Sequence, residues 1–167
     1  MRLADLPDLP AGGLYRGVVL HWSAGPYLAW FDHYNLCVLG PPRDGDVVLS
    51  LPIAANLRRI RPGDGLAYGA HARGRNSGRV GIGAMCMYRG TMSDYGAFPP
   101  TPRQVETMCA LAGLVAAKYG TGLPVDAQVR THYQWAVEDG YYPDRWDWMR
   151  EGPALVRKVA WYAASAR

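Results

Sequence analysis

The sequence predicts an α/β fold, a single domain over residues 1–167 with a central mixed β-sheet flanked by α-helices. Three observations predict it. Short β-branched and apolar runs, such as Gly17 to Leu20 and Val80 to Tyr88, read as buried strands, because such side chains suit a pleated, covered surface. A long stretch after Thr101 repeats apolar residues at helical spacing. Between these runs the chain is rich in glycine (20) and proline (13), which punctuate regular structure.

Taken in order, residues 1–13 are interrupted by Pro and Gly and read as an irregular lead-in. The run Gly17 to Leu20 leads into His21 and Trp22, and Ser23-Ala24-Gly25-Pro26 stops it. Pro26 to Asp32 suggests one or two helical turns with Tyr27, Trp30 and Phe31 on an apolar side. Tyr34 to Leu39 and Val47 to Leu51 are two strands of a hairpin around an Asp-Gly turn signal. A surface loop with a short helix near Ala54–Leu57 follows, then a short strand or extended piece at Tyr68 to His71. Val80 to Tyr88 belongs in the middle of the sheet because it is apolar throughout. Thr101-Pro102-Arg103-Gln104 is a helix start, with Thr as N-cap, Pro in the first turn and Gln closing a capping box. Val105, Met108, Cys109, Ala112, Val115 and Ala116 form its core-facing stripe, and Gly120 suits the C′ position. Ala127 to His132 is a last short strand, followed by a Tyr-, Asp- and Trp-rich loop and a helix from about Pro153 to Ala164.

Composition excludes several classes. The chain is 49% hydrophobic and 19% charged, which fits a globular domain rather than a disordered one. A net charge of +4 permits an anionic partner, yet no run of Lys and Arg marks a nucleic-acid arm, so no nucleic-acid partner is expected. Cys37, Cys86 and Cys109 are odd in number, scattered and set in apolar stretches, so they read as small core residues rather than a disulfide framework or thiolate cluster. No stretch approaches the roughly 18 apolar residues of a membrane span, and the N-terminal residues lack the apolar segment of a signal peptide. The expectation is a monomer without membrane insertion, made in the cytoplasm; a target outside would need something else to deliver the chain.

Two histidines, His21 and His132, stand at the carboxyl ends of predicted strands, where α/β proteins build sites. Neutral imidazole is the commonest side-chain metal ligand, and catalytic zinc takes three protein ligands and a water. The segment after His132 offers Glu138, Asp139, Asp144 and Asp147 as a third ligand, and spacing does not choose among them.

His21-Trp22-Ser23-Ala24-Gly25 resembles the His-His-Thr-Ala-Gly strand end of the type 2 N-acetylmuramoyl-L-alanine amidases, a zinc family that includes phage endolysins and peptidoglycan recognition proteins. Tyr34 to Val38 is similar to that family's Tyr-His-Phe-Ile-Ile strand, and Ala70 to Ile82 to its AH-GxNxxSIGI segment, the most specific match. Thr131-His132 resembles the strand end that carries the second zinc histidine, and the resemblance spans residues 17–148. It implies Zn2+ held by His21, His132 and Asp147, the last two residues after a basic Arg145; Asp144 is the alternative ligand. It implies catalytic roles for Tyr34, beside the metal water, and for Arg145, which stands where the family usually has lysine. Substrate contacts are expected from His71, Asn76 and Trp22, in a groove bordered by residues 71–78 and 141–148 with Tyr141, Tyr142, Trp146 and Trp148 as sugar-packing candidates. Peptidoglycan or a muropeptide is the implied substrate, cleaved between N-acetylmuramic acid and L-alanine; a non-catalytic peptidoglycan-binding module of the same fold is the alternative. Two positions depart from the family: Gly83 stands where some members carry a glutamate, and Asn35 where they carry a histidine. His33 reads as a surface or helix-end residue.

Overall fold

β1 (Gly17–Trp22) and β4 (Arg79–Ala84) pair in parallel over their full lengths, and every residue of both is buried. The computed structural model describes residues 2–61, 63, 65–120, 122–140 and 147–166. β2 (Leu36–Val38) pairs in parallel with β4, and β5 (Val129–Thr131) in parallel with β1. β3 (Val47–Leu49) pairs antiparallel with β2, which gives a mixed sheet of order β3-β2-β4-β1-β5. The sheet centre is therefore apolar on both faces, as a parallel sheet with both faces covered requires.

Val18, Leu20 and Trp22 share one face of β1, and they enter the main core with side chains of α1 (Pro102–Tyr119) and α4 (Gly152–Ser165). Val19 points the other way and packs with Ala72 and Trp135. Alternation places His21 on that second face. α1 begins as the sequence predicts: Thr101 accepts from the Gln104 N–H, and the Gln104 side chain returns to the Thr101 N–H. Gln104 is fully buried and also donates to the carbonyls of Val38 and Met85 at 3.1 and 2.9 Å, which ties α1 to the sheet.

Several local expectations shift. Residues 26–32 form turns rather than a helix, and the strand predicted to reach Tyr88 ends at Ala84. Positive φ at Met87 and Arg89 takes the chain out of the sheet. The short helix lies at Ile53–Ala55, and residues 68–71 join no strand. Gly120 caps α1 with a negative φ, so space rather than left-handed backbone accounts for it: a Cβ would stand 1.9 Å from Gln128 Oε1. A short helix, α2 (Val125–Gln128), precedes β5, and residues expected as a loop form another, α3 (His132–Glu138). Its cause is legible in Thr131-His132-Tyr133-Gln134, a second capping box in which Thr131 accepts from the Gln134 N–H at 3.2 Å and Gln134 accepts from the Thr131 N–H at 2.8 Å. All three cysteines are free and buried.

Candidate metal centre

His21 is the fifth residue of β1, and His132 is the first residue after β5. The register pairs Leu20 with Thr131, so the two histidines leave adjacent parallel strands at the same level. Their ring centroids lie 4.7 Å apart. Between them comes Asp147, whose Oδ2 is 3.2 Å from His21 Nδ1 and 3.6 Å from His132 Nδ1. All three residues are buried, and one ligand atom from each lies within 4.8 Å of the others. This buried group can hold a metal ion.

Local chemistry fixes each member. His21 is carried by a strand locked on both edges. The Thr131 capping box turns the chain into α3 and so sets where His132 begins. Asp147 precedes Trp148, which adopts φ 58° and is buried with its ring 5.4 Å from that of Trp22. Positive φ is unfavourable for a residue with a bulky side chain, and burial of the indole against Trp22 holds Trp148 there. Trp148 is thus a core residue and not a sugar platform.

The charge states suit a cation. Burial pulls the His21 imidazole down to about 4, against the opposing hydrogen bond to Asp147, so the ring is neutral at pH 7. Burial alone would raise the Asp147 carboxyl, but hydrogen bonds from His132 and His21 outweigh it and hold the group at about 2. Neutral imidazole and ionised carboxylate are the ligating forms. His132 Nε2 is buried with no hydrogen-bond partner among the described residues, and buried polar atoms rarely lack one.

His71 stands behind His21: its Nδ1 is 3.2 Å from His21 Nε2, and its Nε2 donates to the Arg79 carbonyl at 3.2 Å. Its ring lies over Gly81, where a Cβ would come within 2.4 Å of it. Tyr34 lies likewise over Gly83, where a Cβ would come within 3.0 Å of the ring and of the Met85 methyl. The glycines of β4 make room for the two rings that flank His21, which explains Gly83 in physical terms. Asn35 has a structural task. It is fully buried, accepts from the Gly81 N–H at 2.9 Å and donates to Asn56 at 3.0 Å. Asn56 in turn bonds both the N–H and the carbonyl of Gly69, clamping the chain two residues before His71.

The other predicted residues divide. Tyr34 is buried with its ring 5.0 Å from that of His21, on the wall of a cavity of about 500 Å³ over the cluster. Trp22 lines the same cavity while packing on Trp148 and Tyr95. Asn76 does not line it; its Oδ1 accepts from the Ala72 N–H at 2.9 Å and shapes the turn after His71. Arg145 and the alternative ligand Asp144 lie outside the described residues, as do Tyr141, Tyr142 and Trp146. Glu138 and Asp139 are turned to arginines instead: Glu138 pairs with Arg75 and Arg130, and Asp139 with Arg75. His33, expected at the surface, lines the cavity, with its ring 4.2 Å from that of Tyr34. Its position beside Tyr34 in the sequence was the available signal.

Neither a scan of protein-family models nor a search of curated proteins finds a match to this chain. Fold and site define the class: an α/β domain with a buried His-His-Asp group, able to hold a metal ion, at the carboxyl ends of two adjacent parallel strands. No described helix is long and apolar enough to cross a membrane.

Proposed function

We propose that the protein is a zinc-dependent peptidoglycan amidase that hydrolyses the amide between N-acetylmuramic acid and L-alanine. The observation that carries this reading is the convergence of His21, His132 and Asp147 beneath an open cavity. Zinc–ligand bonds of about 2.0–2.2 Å put the donor atoms of a tetrahedral site about 3.4 Å apart. The separations of 3.2 and 3.6 Å from Asp147 Oδ2 bracket that value. Two imidazoles and a carboxylate are a ligand set that leaves one position for water, as hydrolytic zinc requires.

Zinc, when bound, supplies Lewis acidity and lowers the pKa of its water to about 7. His21, His132 and Asp147 would hold it, and all three line the cavity that would admit an amide carbonyl. Tyr34, at the cavity wall beside His21, orients the attacking water and hands on its proton. With Gly83 supplying no carboxylate, that task rests on the phenol. Arg145 is assigned the charge that develops on the carbonyl oxygen, where one donor contributes about 3–4 kcal/mol. A cavity of about 500 Å³ is of the size that takes a sugar–peptide fragment.

Mass analysis of purified peptidoglycan after digestion tests this directly. Stem peptides with a free L-alanine amine, and glycan with a free lactyl carboxyl, are expected; cleavage elsewhere, or none, contradicts it. The second reading, a peptidoglycan-binding module without turnover, is favoured by Gly83 alone. It predicts wall binding that survives His21→Ala and a purified protein free of zinc.

A further inference from the structure

We infer that Arg79, stacked on Trp135, is the centre of a second binding site, one for a small oxyanion: a carboxylate or a phosphate group. The site lies apart from the metal group and does not depend on it. Arg79 opens β4, whereas His21 pairs with Gly83 four residues further on, about 13 Å along the strand.

Strand pairing gathers the cations. Val19 pairs with Arg130 and packs on Trp135, and Arg79 pairs with Gly17, two residues before Val19, so all share one sheet face. The guanidinium carbons of Arg75, Arg79 and Arg130 lie 4.3, 4.9 and 4.8 Å from the centre of the Trp135 ring. Asp139 and Glu138 take up Arg75, and Glu138 also takes up Arg130. Arg79 is only 8% exposed, yet it pairs with no carboxylate among the described residues. Its Nε is buried without an acceptor among those residues, and so is the indole Nε1 of Trp135, itself 4% exposed. Two buried donors in one cluster thus lack an acceptor.

Stacking on the indole serves the face of the guanidinium and leaves its N–H edge unused. Buried polar atoms rarely lack a partner, and buried charges are paired. A water would serve as acceptor but brings no charge. Charge selects an anion, because Arg16, exposed just before β1, joins the other three arginines against two carboxylates. Burial, and then repulsion from Arg75 and Arg16, lowers Arg79 to about 10, which leaves it charged at pH 7. Two oxygens in one plane, as a carboxylate or a phosphate offers, match the fork of a guanidinium. Side-chain exposures of 20% for Arg75 and 35% for Arg130 leave the cluster open to a small ion from solvent.

Nitrogen-15 NMR of tryptophan-labelled protein tests it, with ionic strength held constant by chloride. The Trp135 indole signal, assigned with Trp135→Phe, should move saturably with inorganic phosphate, with acetate, or with both. A response to phosphate alone marks a phosphate group as the natural ligand, a response to acetate alone marks a carboxylate, and both together support the shared chemistry. Arg79→Gln should weaken the binding about tenfold or more. Arg79→Lys, which keeps the charge but not the fork, should weaken it too. His132→Ala, which strips the metal group, should bind the anion like the parent. A Trp135 signal that neither anion moves beyond the chloride control overturns the inference, as does undiminished binding in Arg79→Gln. Binding lost in His132→Ala but kept in Arg79→Gln places the anion on the metal and overturns it as well. Should Arg79→Gln fail to fold, Arg79→Lys decides by the same criterion.

Discussion

His21 Nδ1 and Asp147 Oδ2 meet at 3.2 Å across a sequence separation of 126 positions. Neither residue belongs to a compact motif. The meeting depends on β1 delivering one side chain and on buried Trp148 delivering the other. Substituting Trp148 by Gly relieves the positive φ but removes the indole from Trp22. The account predicts a loss of about 3–5 kcal/mol in urea unfolding, the usual cost of truncating a buried large aromatic side chain. Zinc affinity should fall with it, because Asp147 loses its anchor.

Acid should destabilise the metal-free protein in two stages. His21 has an ordinary value of 6.5 and is held at about 4 when folded. Below pH 6.5 the unfolded chain takes up a proton that the folded protein refuses until about pH 4, so stability falls through that window. Burial holds His71 down as well and adds to the same loss. Asp147 is held at about 2 against an ordinary 3.8, so its contribution is present above 3.8 and is lost as pH falls toward 2. Urea midpoints in the presence of chelator, taken from pH 7.5 down to 4, should decline steadily. A flat profile over that range would show that the imidazoles are not buried in neutral form.

The glycines of β4 yield a steric prediction. Gly81→Ala places a methyl 2.4 Å from the His71 ring, and Gly83→Ala one 3.0 Å from Tyr34. Overpacking of this kind costs about 1–3 kcal/mol. The two variants should separate in their effects: Gly81→Ala disturbs His71 and weakens zinc binding, whereas Gly83→Ala displaces Tyr34 and lowers turnover with zinc retained. Equal zinc affinity in both would contradict the assignment of the two rings.

Two capping boxes offer a matched comparison. Thr101→Ala and Thr131→Ala each remove an N-cap hydroxyl that accepts a backbone N–H, a change that costs about 1 kcal/mol. Thr101 starts a helix on the far side of the sheet, so its loss should leave metal affinity unchanged. Thr131 directly precedes His132, so its loss should lower both stability and affinity.

Strands and the long helix were legible because their signals are local: β-branched runs, apolar residues at helical spacing, Thr101 with Gln104. So were His21 and His132, each at the end of an apolar run. The α3 helix was hidden by its content, since Tyr133, Trp135 and Glu138 look like loop composition, although Thr131 and Gln134 carry the same capping signal as Thr101 and Gln104. Spacing left Glu138, Asp139, Asp144 and Asp147 open and the resemblance pointed to Asp147; what folding adds is that Arg75 and Arg130 take up Glu138 and Asp139. The place of His71 behind His21 was likewise beyond reach of spacing, for it depends on the bare backbone of Gly81 and on an Asn35–Asn56 contact between separate loops.

The central claim is that His21, His132 and Asp147 together hold a zinc ion. Zinc titration of metal-free protein against a chromophoric chelator, with circular dichroism on the same samples, tests it most directly. One zinc per chain is predicted for the parent, with affinity reduced more than about 100-fold in His132→Ala and Asp147→Ala while both remain folded. Tight binding that survives either substitution, or a folded parent that takes up no zinc, would contradict the account.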